Sequence, residues 1–170
     1  MKKLLLILSL TMIFNNIIAQ KTAEDYFKLG MIKEDLDEVI WNFTKAIEIK
    51  PDYLDAYYFR AIAYLNYKKY DKSLIDVDKV LKLDSTKAEY LNLKGKILLN
   101  FKDGYIDAFQ YFNKAIELNP NLAEAYYQRG IIKNRTENNL IQTKGCEDLK
   151  TAKKLGYKVP EIEIKNCKEK

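Results

Sequence analysis

Apolar residues recur at helical spacing through most of the chain and are interrupted by short polar turns. The stretch from residue 54 to residue 87 is the most regular. Its first helix carries one face of apolar and small residues, Tyr57, Ala61, Tyr64 and Leu65. Its second helix carries another such face, Leu74, Val77 and Leu81. This pattern predicts two amphipathic helices joined by a turn at residues 70–71.

Small residues at fixed positions show that this helical pair is repeated along the chain. The first helices carry Gly30, Ala61, Gly95 and Gly130, which are 31, 34 and 35 residues apart. The second helices carry Ala46, Val80, Ala115 and Ala152, which are 34, 35 and 37 residues apart. Because both helices keep one period, the sequence predicts an all-α solenoid of four helix-turn-helix repeats, at residues 22–53, 54–87, 88–122 and 123–157. A helix at residues 159–168 is expected to cap the array.

The small residues also predict where the two helices of a pair touch, since helices approach closely only where side chains are short. Larger residues of the second helices are expected to fill the surrounding space in two series: Phe43, Val77, Phe112 and Leu149, then Ile49, Leu83 and Leu118. Pro51 and Pro120 are expected to end second helices, because proline lacks the N–H and disfavours helix at the preceding residue.

The first twenty residues have the pattern of a secretory signal. Lys2 and Lys3 precede an apolar run at residues 4–14, and Ala19 is a small residue near the end of the segment. The apolar run of about 11 residues is shorter than the roughly 20 that span a bilayer. We therefore expect cleavage after residue 19 or 20, a mature domain of residues 21–170 without a stable membrane anchor, and export to the periplasm or the exterior.

Composition excludes most classes of enzyme and metal protein. The chain has no histidine, which excludes Ser-His-Asp and Cys-His catalysis and any histidine-based metal site. Its six glycines form neither a dinucleotide-binding motif nor a P-loop. The net charge is +5, and subtracting Lys2 and Lys3 leaves +3, which is too small to indicate nucleic-acid binding. We expect no catalytic activity and no cofactor.

The repeated segments resemble those of the tetratricopeptide repeat (TPR) family. The resemblance lies in AYYFRA at residues 56–61 with DVDKVLKLDS downstream, and in AFQYFNKAIELNP at residues 108–120 leading into AEAYYQRG. The segment GCEDLKTAKKLGY from Gly145 resembles the closing unit of small exported bacterial TPR proteins. Membership would imply antiparallel helix pairs stacked in a right-handed superhelix. The first helices would line a concave groove that binds peptides or partner helices, without catalysis.

The resemblance implies a set of groove residues on the first helices. They are Phe27, Met31, Tyr58, Ile62, Leu65, Asn66, Asn92, Lys96, Asn100, Tyr127, Ile131 and Asn134. Tyrosines supply contact area at little entropic cost, and amides can bond a peptide backbone. The competing interpretation is that the apolar members only pack between neighbouring repeats.

A column of acidic residues lies six positions before the small residues: Glu24, Asp55, Glu89 and Glu124. It could attract a cationic partner, but acids in the first turn of a helix are also stabilised by the helix dipole, which we favour as the explanation. Some TPR domains bind a partner's C-terminal carboxylate through Lys, Asn and Arg. This chain has other residues at those positions: Phe27, Met31, Phe59, Glu89 and Leu93. That mode of binding is not expected here.

The two cysteines are Cys146 and Cys167. If the last helix folds back along the final repeat helix, Cys167 approaches Cys146, and export would favour a disulfide. Two free thiols, or a redox or metal role, are the alternatives.

The sequence thus predicts a non-catalytic scaffold that binds a protein or peptide partner in its groove, in the cell envelope or outside the cell. The alternative is a structural subunit of an envelope assembly that docks through an end of the array. No oligomeric state follows from the sequence.

Overall fold

The computed structural model describes residues 21–135 and 145–165, and the regular secondary structure in these two ranges is α-helical. The helices are α1 Ala23–Ile32, α2 Leu36–Ile49, α3 Leu54–Asn66, α4 Tyr70–Leu83, α5 Ala88–Leu98, α6 Tyr105–Leu118, α7 Ala123–Arg135, α8 Cys146–Lys154 and α9 Glu161–Lys165. The predicted signal segment, residues 136–144 and residues 166–170 lie outside the described residues.

Consecutive helices pack as four pairs: α1 with α2, α3 with α4, α5 with α6, and α7 with α8. Each pair then packs on the next through the contacts α2–α3, α4–α5 and α6–α7, while α9 packs on α8. The predicted all-α solenoid of four helix-turn-helix repeats with a capping helix is therefore confirmed.

Small residues lie where the helices of a pair meet, as predicted. A Cβ added to Gly30 would lie 2.6 Å from the Phe43 ring, and one added to Gly95 would lie 2.7 Å from the Phe112 ring. Both distances are shorter than side chains tolerate, so the glycines are required for this packing. The series of large residues that contains Phe43 and Phe112 does fill the space between the helices.

The second series of large residues was predicted wrongly. Ile49, Leu83 and Leu118 are 49%, 40% and 51% exposed. They are the last residues of α2, α4 and α6, so no further helical turn lies beyond them to cover their side chains.

The first repeat is shorter than the others because α1 ends early. The helix begins with a capping box, in which Thr22 accepts a bond from the Asp25 N–H and Asp25 accepts one from the Thr22 N–H. It ends at Ile32, two residues after Gly30, whereas α3 continues for five residues after the small residue Ala61. The missing residues are thus lost from the end of the first helix.

Candidate functional site

The first helices form a common surface, because α5 contacts both α3 and α7. We call it the first-helix face and define it by the predicted groove residues: Phe27, Met31, Tyr58, Ile62, Leu65, Asn66, Asn92, Lys96, Asn100, Tyr127, Ile131 and Asn134. Eight of them lie three residues before or one residue after the small residue of a first helix. The other four lie near the ends of α3, α5 and α7.

Four of these residues lie three positions before a small residue and turn toward the following part of the array: Phe27, Tyr58, Asn92 and Tyr127. The Phe27 ring lies 5.1 Å from the Tyr53 ring, and the Tyr58 ring lies 5.0 Å from the Tyr90 ring. Burial, followed by the nearby negative charge of Glu89, raises the pKa of Tyr58. The Tyr58–Tyr90 contact joins neighbouring repeats, as does the Phe27–Phe59 contact at 5.8 Å, while Phe27 and Tyr58 themselves stay half-buried.

The residues one position after the small residue differ in exposure. Met31 is 48% exposed, and Ile62 is half-buried against the apolar cluster of the second and third repeats. Ile131 is buried, with 8% exposure, and so offers little surface to a ligand. Lys96 takes part in the polar cluster described below.

The remaining members lie toward the ends of the first helices. Leu65 is half-buried, whereas Asn66 and Asn100 are exposed. Asn100 lies two residues after α5, and its amide donates to the Lys96 carbonyl in the last turn of that helix at 3.0 Å. The Asn134 side chain accepts a bond from the Gly145 N–H at 2.9 Å and so joins α7 to the start of α8.

A polar cluster joins α5 to α7 at the middle of the first-helix face. Asn92 Nδ2 donates to Glu124 Oε2 at 2.8 Å, and Lys96 Nζ donates to Glu124 Oε1 at 2.7 Å. Asn92 is only 5% exposed, and its Oδ1 has no hydrogen-bond partner among the described residues. The cluster therefore combines a buried acceptor without a partner and an ion pair that is about one-third exposed on each side.

The last repeat presents a stacked pair of tyrosines. Gly156, at φ 90°, reverses the chain after α8, and the Tyr157 N–H bonds the Ala152 carbonyl at 2.9 Å. This turn places the Tyr157 ring 4.6 Å from the Tyr127 ring, with 26° between the planes. The segment after α8 thus extends the first-helix face.

The acidic column occupies the first turns of the first helices, as the helix-dipole explanation requires. Two of its members also bond residues beyond their own helix pair. Glu24 accepts a bond from the hydroxyl of Tyr53, which lies directly before α3, and Glu124 accepts the two bonds from α5. Burial first, and then this bond to Glu24, raises the pKa of Tyr53.

Sequence reasoning missed a second set of polar residues, which joins three helices at each junction between repeats. We call them the junction cations: Arg60, Lys94 and Arg129. Each lies one position before the small residue of its first helix. Arg60 donates to Asp76 in its own repeat at 2.7 and 2.8 Å, and to Thr44 of the preceding repeat at 3.0 Å.

The other two junction cations follow the same plan. Arg129 donates to Asp148 at 2.7 and 2.8 Å and to Asn113 of the preceding repeat at 2.9 Å. Lys94 pairs with Asp78 of the preceding repeat at 2.7 Å and lies 4.7 Å from the Tyr111 ring of its own repeat. A signal for these contacts was present in the sequence, since the cations and their partners recur at the repeat period.

The Asp148 carboxylate receives two cations. Lys133 lies 2.9 Å from it, in addition to the bidentate Arg129. Burial alone would raise the pKa of Asp148, but the hydrogen bonds and charges of Arg129 and Lys133 outweigh it, so the pKa is lowered.

Several predictions concern chemistry outside the first-helix face. Cys146 is half-buried at the start of α8, but Cys167 lies outside the described residues, so the disulfide stays a prediction. Within residues 21–135 and 145–165, no group of three or more Cys, Asp or Glu side chains is arranged to hold a metal. None of the helices in the described part of the chain is long and apolar enough to cross a bilayer.

Comparisons with known proteins agree with the repeat architecture. A family model described as "Tetratricopeptide repeat" matches residues 88–122. Human protein O-mannosyl-transferase TMTC3 is 29% identical over 135 residues, which cover 73% of this chain but 14% of that protein. The chain thus spans about a seventh of this relative's length.

Solved structures show the same fold. A crystal structure of MamA protein has a TM-score of 0.67 at 21% identity, covering 78% of this chain and 72% of that one. The first TPR of Spaghetti (RPAP3), bound to the HSP90 peptide SRMEEVD, has a TM-score of 0.56 at 24% identity, covering 66% and 85%.

Proposed function

The chain is a tetratricopeptide repeat protein, and we propose that its first-helix face binds a peptide or helix of a partner protein without catalysis. The observation that carries this proposal is the polar cluster of Asn92, Lys96 and Glu124. Asn92 Oδ1 is covered and has no partner among the described residues, so it can accept a bond from a ligand N–H once a neighbouring side chain moves aside. The partly exposed ion pair beside it can rearrange to contact a ligand.

The surroundings of this cluster define the class of partner. Tyr58 and Tyr127 offer partly accessible rings on either side, and Asn66 and Asn100 add exposed amides. Such a mixture suits a peptide that offers apolar side chains and a backbone to bond. The positive charge of Lys96 is already paired with Glu124, whereas other acids of the column are exposed, which favours a neutral or cationic partner.

The RPAP3 domain is described as bound to the HSP90 peptide SRMEEVD, whose C-terminal end is acidic. In this chain, the positions at which some TPR domains bind a terminal carboxylate carry no cation: Phe27, Met31, Phe59, Glu89 and Leu93. Leu93 is buried, and Phe27 packs against Phe43 and Tyr53. We therefore do not expect an acidic C-terminal tail to bind.

The proposed location is the periplasm or the exterior of a cell. Support comes from the sequence of residues 1–20, with Lys2 and Lys3, a short apolar run and Ala19. Detecting the cleaved chain, beginning at residue 20 or 21, in the periplasmic or secreted fraction would test this part of the proposal.

A second candidate function is a structural subunit that docks through an end of the array. The exposed apolar residues of the first repeat favour it, because Met31, Ile32 and Trp41 are 48%, 74% and 53% exposed.

Site-specific photo-crosslinking separates the two candidates. A photoreactive residue at Asn100 lies on the first-helix face, one at Trp41 lies at the N-terminal end, and one at the 68% exposed Ile75 of α4 is the control. The proposal expects the same partner to crosslink from position 100 and not from position 75. Lys96→Ala should weaken that crosslink with little change in thermal stability. Crosslinks from position 41 alone would favour docking through the array end.

A further inference from the structure

A cleft of about 460 Å³ lies at the N-terminal end of the array, away from the first-helix face. Its lining residues come from α1, α2 and the segments that precede these helices: Lys21, Leu29, Lys33, Asp37, Glu38, Trp41 and Asn42. We propose that this cleft binds an arginine side chain presented by a helix of a partner protein. The inference does not rest on the function proposed for the first-helix face.

A buried acceptor in the cleft lacks a partner. Asn42 is 4% exposed, and its Nδ2 donates to the Glu38 carbonyl at 2.8 Å. That bond fixes which way the amide points. Asn42 Oδ1 is buried and has no hydrogen-bond partner among the described residues. A buried acceptor in this state costs free energy that an incoming N–H donor would recover.

Repeats two and four show which side chain bonds the residue that corresponds to Asn42. Asn42 lies four residues before the small residue of its second helix, as Asp76 and Asp148 do in repeats two and four. Those carboxylates accept bidentate bonds from Arg60 and Arg129. The first repeat has Leu29 where repeats two and four have these arginines, and the third repeat has Lys94. The cleft, which Leu29 and Asn42 both line, is therefore the place where a guanidinium lies in repeats two and four.

The occupant is a helix because of how the junctions are built. In each internal junction, the second helix of one repeat covers the first helix of the next, through α2–α3, α4–α5 and α6–α7. Helix α1 has no preceding repeat among the described residues. A partner helix lying on α1 would continue this packing. It would have to supply the cation itself, because the cation of each internal junction comes from the first helix, and α1 has Leu29 there.

The remaining lining of the cleft suits a guanidinium. Asp37 and Glu38 supply carboxylates, and the exposed Trp41 ring can stack on a planar cation. Lys33 now pairs with Glu38 at 2.6 Å, and Lys21 also lines the cleft, so the cations already there oppose a new one. The Lys33–Glu38 pair is exposed on both sides, so exchanging it for a bidentate arginine costs little. Because Asn42 Oδ1 is covered, the arginine side chain can reach it only when the lining side chains are displaced.

Trp41 is the only tryptophan in the chain, so its fluorescence reports on the cleft directly. The probe is an alanine-based helical peptide with one central arginine, and the matched probes carry lysine or citrulline there. Citrulline keeps the shape of arginine without the charge. With the purified full chain, the proposal expects the arginine peptide to change Trp41 emission and to bind about tenfold more tightly than the citrulline peptide.

Variants localise the effect. Asn42→Leu should abolish the preference for arginine over citrulline, and Asn42→Asp should strengthen arginine binding several-fold. Glu38→Gln should weaken it, whereas the control Glu117→Gln, an exposed acid on α6, should not. Circular dichroism checks that each variant folds, and Glu38→Gln keeps the test decisive if Asn42→Leu does not fold.

Three results would overturn the proposal. They are no change in Trp41 emission with any of the peptides at millimolar concentration, equal binding of the arginine and citrulline peptides, or binding unchanged by both Asn42→Leu and Glu38→Gln. Emission that instead follows the concentration of the chain itself would assign the cleft to a second copy rather than to a partner protein.

Discussion

Replacing Arg60 by methionine tests whether the junction cations hold the array together. The Arg60 side chain is 14% exposed and that of Asp76 is 4% exposed, so both charges are largely removed from water. Methionine keeps the bulk of the arginine stem but leaves Asp76 without its bidentate partner. Removing one member of a buried ion pair costs about 3–5 kcal/mol, since the remaining charge stays buried.

The same substitution at Arg129 should cost less. Asp148 retains Lys133 at 2.9 Å, and a hydrogen bond to a charged group is worth about 1.5–3 kcal/mol. We therefore expect Arg129→Met to destabilise the chain by at least about 1 kcal/mol less than Arg60→Met does. A double variant, Arg60→Met with Asp76→Leu, should lie within about 1 kcal/mol of the wild type, because apolar replacement of a whole buried pair is often neutral.

Urea unfolding measures these differences. Far-UV circular dichroism reports on all helices, and Trp41 fluorescence reports on the first repeat, so coincident transitions would support two-state behaviour. The reasoning would be refuted if Arg60→Met cost less than about 1 kcal/mol, or if adding Asp76→Leu made that variant still less stable.

Three further predictions concern packing, pH and covalent structure. Gly95→Ala should destabilise the chain by about 1–3 kcal/mol in thermal unfolding, because the new Cβ would lie 2.7 Å from the fully buried Phe112 ring; unchanged or increased stability would contradict this packing. The folded-state pKa of Asp148 is lowered from 3.8, so its contribution to stability is present above that value and is lost as the pH falls through the folded pKa. Urea unfolding between neutral pH and about pH 3 should show this loss in the wild type, and Asp148→Asn should be less stable at neutral pH and less sensitive to acid; equal slopes would contradict the assignment. A Cys146–Cys167 disulfide, which would close a loop of about 20 residues, should make reduction lower the free energy of unfolding by about 3 kcal/mol, while a Cys146→Ala variant should not respond; intact-mass measurement after thiol alkylation would show whether the bridge exists.

The repeat period and the helix pairs could be predicted because they depend on local signals. Apolar residues at helical spacing mark each helix, and Pro51 and Pro120 mark turns. The positions of Gly30 and Gly95 also follow, since only a short side chain fits where two helices meet.

Other features depend on which side of a helix meets a neighbour, and spacing alone does not determine this. Ile49 was assigned to the packed interior because it is apolar, but its place at the end of α2 leaves it exposed. Tyr58 was assigned to ligand binding, and the structure shows that its ring also packs against Tyr90 of the next repeat. Arg60 and Asp76 look like ordinary surface charges in the sequence, yet the helices on either side bury them together. Whether the predicted groove residues bind a ligand stays a prediction.

The junction cations also bear on how the array could have grown. Repeats two to four supply a cation on the first helix, and the second helix of the preceding repeat carries its acceptor: Thr44, Asp78 and Asn113. Duplicating a gene segment for one repeat would recreate a complete junction without further change. The corresponding residue of α8 is Lys150, which pairs with Glu147 at 2.8 Å and offers no acceptor to a further junction cation. The last second helix thus lacks the acceptor on which each internal junction relies.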